Sequence, residues 1–231
     1  MLYTEAAVRD NIRNREGRRV FYMGRGDTLT PGARDWLSRE KIQILPAETA
    51  KPDRFALMGG GFTEEKPEHM THLNAQVLVP KTHPRIAFRG EVDMLEAELI
   101  LGQLELDPDT AGKLGQILDL ARRIIRCDVL EEPLQADTLC GLTEAEQRRR
   151  SHLPQEYYGT AHFMPQASDG PGIARLNRIR CAVRQAELAA AEAFSDREGN
   201  PTRPDILRAL NRMSSMMYIL MLEKKGGKEK I

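Results

Sequence analysis

Three clusters in this 231-residue chain hold side chains able to bind or neutralise an anion. The first runs from Lys66 to Asp93: Lys-Pro-Glu-His-Met-Thr-His-Leu at 66–73, Lys-Thr-His-Pro-Arg at 81–85 and Gly-Glu-Val-Asp at 90–93. It reads as a loop ahead of a buried helix. Such a loop could surround a polyanion, with Thr71 donating a hydroxyl and Lys81 and Arg85 opposing the charge. On spacing alone, a solvated polar linker is the favoured reading. The second cluster is Arg180, Arg184 and Glu187, spaced four and three along one helix, so that they share a face within about 60° and flank the apolar stripe. There they either meet another element or subunit, or form an intrahelical ion-pair set worth only tenths of a kcal/mol. The third is Asn211-Arg212, inside the most apolar helix of the chain. An unpaired polar group there costs ~1–3 kcal/mol, so both need partners. Asp93 is one candidate and a bound phosphate another.

Other signals carry less. Gly24-Arg25-Gly26-Asp27 reads as a turn. Gly59-Gly60-Gly61 lacks the spacing and the following helix of a phosphate-binding loop. Met213, Met216, Met217 and Met221 fall at helical spacing and read as core. Cys127, Cys140 and Cys181 never approach a Cys-x-x-Cys spacing and read as small buried hydrophobes, so no structural zinc or iron and no cysteine-bound metal is expected.

The elements that must position these residues change character along the chain. Residues 1–62 read as a small α/β module: a helix over Glu5 to Arg15, a strand at Arg19 to Met23 and a second at Ile42 to Leu45. Between the strands, Thr30-Pro31 opens a helix to about Glu40 that aligns Ala33, Trp36 and Leu37. Pro46 to Glu65 reads as loop. Residues 66–223 read as a helical bundle. Its helices are predicted at Gly90–Leu106, Thr110–Leu130, Ile173–Phe194 and Asp205–Leu222, with a shorter one opened by a Thr143/Glu146 capping box. Residues 224–231 read as a charged, flexible tail. The fold class is therefore mainly α, a helical core with a small N-terminal α/β extension.

Composition sets outer limits. The chain balances 34 Lys+Arg against 34 Asp+Glu, without the basic excess of a dedicated nucleic-acid or membrane-surface binder. No apolar run reaches the ~20 residues of a membrane span. The N-terminus lacks the basic start and apolar core of a signal peptide, and three scattered cysteines suit a reducing compartment. A cytoplasmic protein is expected, without nucleic-acid or membrane partners.

Taken in order, the motifs resemble the corrinoid adenosyltransferases, specifically their ethanolamine-utilisation branch. The resemblance covers roughly residues 66 to 222 and rests on the segments at 66–73 and 81–86. Phe-Arg-Gly-Glu-Val-Asp at 88–93, Leu-Glu-Glu-Pro-Leu at 130–134, Ser-His-Leu-Pro at 151–154 and Pro-Gln-Ala-Ser at 165–168 add to it. Arg-Pro-Asp-Ile-Leu-Arg-Ala-Leu-Asn-Arg-Met-Ser-Ser at 203–215 completes it. The propanediol-utilisation type looks like a more distant relative, echoed by Thr71, Lys81, Gly90, Asp93, Arg180, Arg184, Glu187 and Asn211. Gln185 and Ser215 depart from its arginine and aspartate, and the segment around Phe163 is one residue out of register.

The resemblance implies a five-helix bundle assembled as a homotrimer, with ATP and corrinoid bound between subunits. It implies transfer of the 5′-deoxyadenosyl group of ATP to reduced cobalamin, with Mg²⁺ on the triphosphate. Thr71, Lys81, Arg184, Glu187 and Asn211 match the ATP site, and Arg85 is added as a charge partner. Arg184, Asp93 and Arg180 are the candidate catalytic set, Asp93 and Arg180 matching a charge pair across the subunit interface. His162, Phe163 and Met164 lie near the position that faces the corrin. Some ethanolamine-type members carry a cysteine cluster just before the Lys-Pro segment; here Met-Gly-Gly-Gly-Phe-Thr-Glu-Glu stands there, and no metal of that kind is expected. A corrinoid reductase and microcompartment shell or lumen proteins are the implied partners, with a microcompartment interior as one location. A non-catalytic corrinoid carrier, or a structural microcompartment component docking through Glu5 to Arg15, are the competing readings.

Overall fold

The computed structural model of the protein describes residues 1–15, 17–49, 55–135 and 138–226. Two compact units divide the chain: Met1–Phe55 with Phe62–Glu65, and Ala56–Gly61 with the described residues from Lys66 onward.

In the smaller unit, β1 (Leu2–Tyr3) leads into α1 (Glu5–Asp10), whose N-terminus is capped by the Thr4 hydroxyl. The predicted helix to Arg15 ends early, because the Asn11 backbone N–H closes on the Val8 carbonyl and releases the chain. Residues 13–15 become β2 (Arg13–Arg15), paired antiparallel with β3 (Arg18–Met23). After β4 (Thr28–Leu29), which runs parallel to β1, Thr30 caps α2 (Pro31–Arg39) as its sequence predicts. β5 (Gln43–Pro46) then returns parallel to β3, Val20 opposite Gln43 and Phe21 opposite Ile44. Val8, Phe21, Ala33, Trp36, Leu37 and Ile42 form a core of their own. The stretch read as loop from Pro46 to Glu65 holds two short strands, β6 (Phe55–Leu57) and β7 (Phe62–Thr63); its residues 50–54 lie outside the described ones.

In the larger unit, the segment read as a polar loop forms β8 (Met70–His72) and β9 (Val77–Pro80). Its Val-Leu-Val run suits a pleated, buried strand, and β9 pairs antiparallel with β8, setting Thr71 opposite Val79. The other edge of β9 runs parallel to Ala56 and Leu57 of β6. The first long helix, α3 (Pro84–Glu105), begins at Pro84 rather than at Gly90. His83 is its N-cap, its Nδ1 accepting from the Arg85 backbone N–H at 3.2 Å, and Pro84 fills the first helical position. Burial, then the nearby charges of Arg85 and Arg89, hold the His83 pKa below its ordinary value, which keeps Nδ1 available as an acceptor.

Asp107 caps α4 (Pro108–Leu130) through the Thr110 backbone N–H at 3.0 Å. A two-stranded hairpin follows, β10 (Thr138–Leu139) and β11 (Leu142–Thr143), turning at Cys140 and Gly141, both with positive φ. The predicted capping box of Thr143 and Glu146 opens α5 (Glu144–His152). Then come α6 (Pro154–Tyr158), α7 (Gly170–Ala193) and α8 (Pro204–Gly226). α3 packs against α4 and α7, while α8 takes α7 and α5. The fold is thus mainly α, a bundle of four long helices joined by the shorter α5, with small strands N-terminal to it.

Each long helix sends its apolar stripe to one core. Leu95 and Leu99 of α3, Ile117 and Ile124 of α4, Leu176 and Ile179 of α7, and Leu210 and Met217 of α8 are all fully buried. Each such side chain contributes about 1.5–3 kcal/mol of burial. At Gly102 α3 leaves no room for a side chain against α4 and α7: a Cβ there would stand 2.7 Å from Ile179 Cδ1 and 2.8 Å from Leu114 Cδ1. The four methionines of α8 are buried core residues. Of the cysteines, Cys127 is buried, but Cys181 is exposed, since it faces away from the stripe of α7. Helix α8 runs on to Gly226, past the predicted start of the tail. Lys224 pairs with Asp107 at 3.2 Å and Lys225 with Asp169 at 2.7 Å. Residues 227–231 lie outside the described ones.

Candidate active site

The structure sorts the predicted site residues into two groups. At the start of α3, Arg85 and Arg89, one turn apart, close on a single carboxylate. Asp128 of α4 is fully buried and accepts from Arg85 Nε at 2.8 Å and Arg89 Nε at 2.7 Å. Arg85 Nη2 also donates to the Asp128 carbonyl, and Arg89 to the carbonyls of His72 and Leu73. The pair of guanidiniums thereby fastens the end of β8 to α4. Arg85, expected as an ATP ligand, spends its Nε and Nη2 on this clamp. Thr71 sits half-buried on β8 near this clamp, and the exposed Lys81 reaches Glu68 at 3.2 Å. Asp93, farther along α3, is exposed and has no side-chain partner among the described residues.

The second group lies where α7 and α8 meet. Asn211 Nδ2 donates to Glu187 Oε1 at 3.0 Å, and Arg212 Nη2 donates to Asn211 Oδ1. The partner of the Asn-Arg pair is therefore Glu187 on the neighbouring helix, with the Glu144 carboxylate 4.0 Å from Arg212 Nε; Asp93 is not involved. Arg180 lies over the Tyr218 ring at 5.9 Å, its Nε buried without a hydrogen-bond partner. Arg184 is exposed and forms no ion pair among the described residues.

Tyr218 also organises the preceding loop. Its hydroxyl accepts from the Phe163 backbone N–H at 3.2 Å and lies 3.3 Å from His162 Nδ1. The His162 ring stacks on Tyr218 at 6.0 Å, and its Nε2 meets the His152 carbonyl at 3.2 Å. Lys225 from the end of α8 covers the Phe163 ring at 4.2 Å. The outcome is an open depression of about 510 Å³. His162, Phe163 and Met164 form one side, and Arg180, Arg184 and Asn211 the other, with Tyr218 between them. Thr71, Lys81 and Asp93 do not line it.

Sequence reading overlooked Arg89, Asp128 and Tyr218. His83-Pro84 repeats the cap-then-proline pattern of Thr30-Pro31 and Asp107-Pro108, and starting the helix there puts Arg85 and Arg89 on one face. Asn211, Ser215 and Tyr218, spaced four and three, mark the one polar face of an otherwise apolar helix.

The depression joins an apolar, aromatic surface to two arginines and a fixed amide. Such a surface can hold a flat apolar ligand against a polyanion. Comparison with known proteins identifies the class: the cobalamin adenosyltransferase profile matches residues 61–223, and the chain belongs to that family. It is a transferase. At the level of particular relatives, it is similar to the corrinoid adenosyltransferase EutT of Salmonella typhimurium strain LT2. The two are 33% identical over 242 aligned positions, covering 95% of this chain and 90% of that protein. Corrinoid adenosyltransferase EutT of Escherichia coli K12 is 32% identical with the same coverage. Among the described residues no helix is long and apolar enough to cross a membrane.

Proposed function

We propose that the protein transfers the 5′-deoxyadenosyl group of ATP to reduced cobalamin in ethanolamine utilisation, supplying adenosylcobalamin for ethanolamine ammonia-lyase. The observation that carries this reading is the shared depression: Arg180, Arg184 and Asn211 face the same space as Phe163 and Met164. In the reaction the cobalt(I) of the corrinoid substrate attacks the 5′-carbon of ATP. A cobalt–carbon bond forms, the carbon–oxygen bond breaks, and its electron pair leaves with triphosphate. No side chain need act as nucleophile, because the substrate supplies it. The protein holds the two substrates in line and opposes the charge that develops on the leaving group.

Arg184, which has no carboxylate partner among the described residues, suits that charge. The Glu187–Asn211 hydrogen bond fixes an amide that can orient the nucleotide. Phe163 and Met164 offer an apolar lower face that disfavours a lower axial ligand and eases reduction of cobalt. Mg²⁺ adds positive charge to the triphosphate when bound.

Thr71, Lys81 and Arg85 complete the proposed ATP set, and since none of them lines the depression, a site shared between copies is favoured. In that arrangement Thr71 and Lys81 come from one subunit and Arg184, Glu187 and Asn211 from the next, with Asp93 and Arg180 paired across the boundary. The exposed Met94, Ile100, Leu101 and Leu104 on α3 supply apolar surface for the homotrimer. Residues 1–62 are a docking or regulatory module for a corrinoid reductase or a microcompartment protein, in the cytoplasm or a microcompartment interior.

The test is anaerobic incubation of the purified protein with ATP and chemically reduced cobalamin. A light-sensitive cobalt–carbon bond is expected. Corrinoid binding without that bond would leave a carrier and overturn the reading.

A further inference from the structure

A second cavity, of about 480 Å³, lies among α4, α5 and α8. It shares Arg212 with the depression just described, and adenosyl transfer makes no use of it. Leu120, Leu139 and Ala209 supply apolar wall. Gln147 lines it and is 2% exposed, its Nε2 donating to the Leu142 carbonyl at 2.9 Å while Oε1 has no partner among the described residues. A buried acceptor left so stays desolvated without compensation until a donor arrives. Arg212 Nε is likewise buried without a hydrogen-bond partner. Arg208 stands at the rim, exposed and without an ion pair among the described residues.

We infer that this cavity receives the nucleotide tail of the corrinoid, the aromatic base, ribose and phosphodiester tethered to the edge of the ring. The inference rests on the reading of the depression as the corrin site. A base displaced from cobalt by Phe163 and Met164 cannot diffuse away, because it remains covalently attached. It needs a compartment next to the ring, and the cavity that shares Arg212 is adjacent. Its chemistry fits each part of the tail: of the carboxylates lining it, Asp205 is held by Arg203 and Glu144 faces Arg212, which leaves Arg208 to oppose the phosphodiester, and Leu120, Leu139 and Ala209 flank the base. Gln147 Oε1 accepts from a ribose hydroxyl. A free nucleotide has the same chemistry, but only the tethered one is delivered here by the proposed substrate.

The test compares cobalamin with cobinamide, which has the ring but no nucleotide tail, by titrating their cobalt(II) forms into ATP-loaded enzyme. The unaltered protein is expected to prefer cobalamin by about tenfold or more. Arg208→Ala removes the rim charge, and Ala145→Trp fills the cavity from an exposed position on α5. Both are expected to bring the ratio to within about threefold by weakening cobalamin alone, with ATP affinity and thermal midpoint unchanged. A ratio retained in both variants overturns the inference. So do equal affinities in the unaltered protein combined with Arg208-dependent binding of free adenosine monophosphate, which would assign the cavity to an untethered nucleotide. Failure of either ring to bind the unaltered protein instead overturns the corrin-site reading beneath it.

Discussion

Asn211 on α8 donates its side-chain amide to Glu187 on α7 at 3.0 Å while its carbonyl oxygen accepts from Arg212. Both faces of the amide are thereby fixed before any ligand arrives, at an exposed position that adds little to the core. Asn211→Ala is expected to lower kcat/KM for ATP by about 10- to 100-fold, equivalent to about 1.4–2.7 kcal/mol. The thermal midpoint should move by no more than a surface substitution allows, about 0.5 kcal/mol. Steady-state kinetics and calorimetry on one preparation check both; a large stability loss with unchanged kinetics would refute the orienting role.

Arg184, like Arg180 and Arg208, has no counter-charge among the described residues, and of the predicted anion ligands on α7 it is the exposed one. Arg85, Arg175 and Arg203 are all held by carboxylates. An arginine held exposed and unpaired can spend its full charge on a ligand. Arg184→Ala is expected to abolish measurable transfer while leaving the oligomer intact by analytical ultracentrifugation. Full activity in that variant would remove the residue from the proposed machinery.

The Asp128 clamp predicts a different pattern. Asp128→Ala strands two guanidiniums in a half-buried site, and removal of one member of such a pair costs about 3–5 kcal/mol. Arg85→Ala should also lower the thermal midpoint, by less, because Arg89 still satisfies Asp128. At a temperature where the variant is folded, its affinity for ATP should also fall below that of the unaltered protein, because Arg85 belongs to the proposed ATP set. Unchanged ATP binding in fully folded Arg85→Ala would confine Arg85 to the clamp.

The contrast between Arg85 and Asn211 shows what could be read from sequence. Helices α2, α4, α7 and α8 announce themselves through caps, prolines and apolar stripes, all local features. So does the Thr143–Glu146 box. The clamp is not local: Arg85 and Asp128 are 43 residues apart, and nothing near either names the other. Strands β8 and β9 were hidden for a related reason, since a three- or four-residue strand declares itself only through its partner. The grouping of Arg180, Arg184 and Asn211 followed from helical spacing once α7 and α8 were placed side by side. The role of Tyr218 did not, because it lies in the hydroxyl's reach to a loop 55 residues away.

Acid sensitivity should centre on Asp205. Two hydrogen bonds from Arg203, at 3.0 and 2.8 Å, and one from the Leu134 backbone N–H hold its pKa down to about 2. The folded chain therefore binds fewer protons at this position than the unfolded chain, whose aspartate titrates near 3.8. The stability Asp205 contributes is complete above that ordinary value and drains away as the pH falls towards about 2. Urea midpoints of the unaltered protein and Asp205→Asn should differ most at about pH 6, and the gap should shrink to about a third of that by about pH 2.5. A gap that stays constant across that range would show that the charge of Asp205 is not what stabilises the start of α8.

Tyr218 gives the sharpest separation between the two proposed substrates. Its ring lies beside Arg180, while its hydroxyl accepts from the Phe163 backbone and touches the His162 ring. Tyr218→Phe keeps the ring, its stacking with His162 and its contact with Arg180, and removes only the oxygen. The Phe163 N–H then loses its acceptor, at a cost of about 1 kcal/mol in the held geometry, and the 162–164 loop gains freedom. The corrinoid side of the depression should therefore loosen while the Glu187–Asn211 side does not. The expected result is a KM for corrinoid raised about 3- to 10-fold with the KM for ATP unchanged. An equal rise in both constants would mean that Tyr218 supports the helix pair as a whole rather than the loop that faces the corrin.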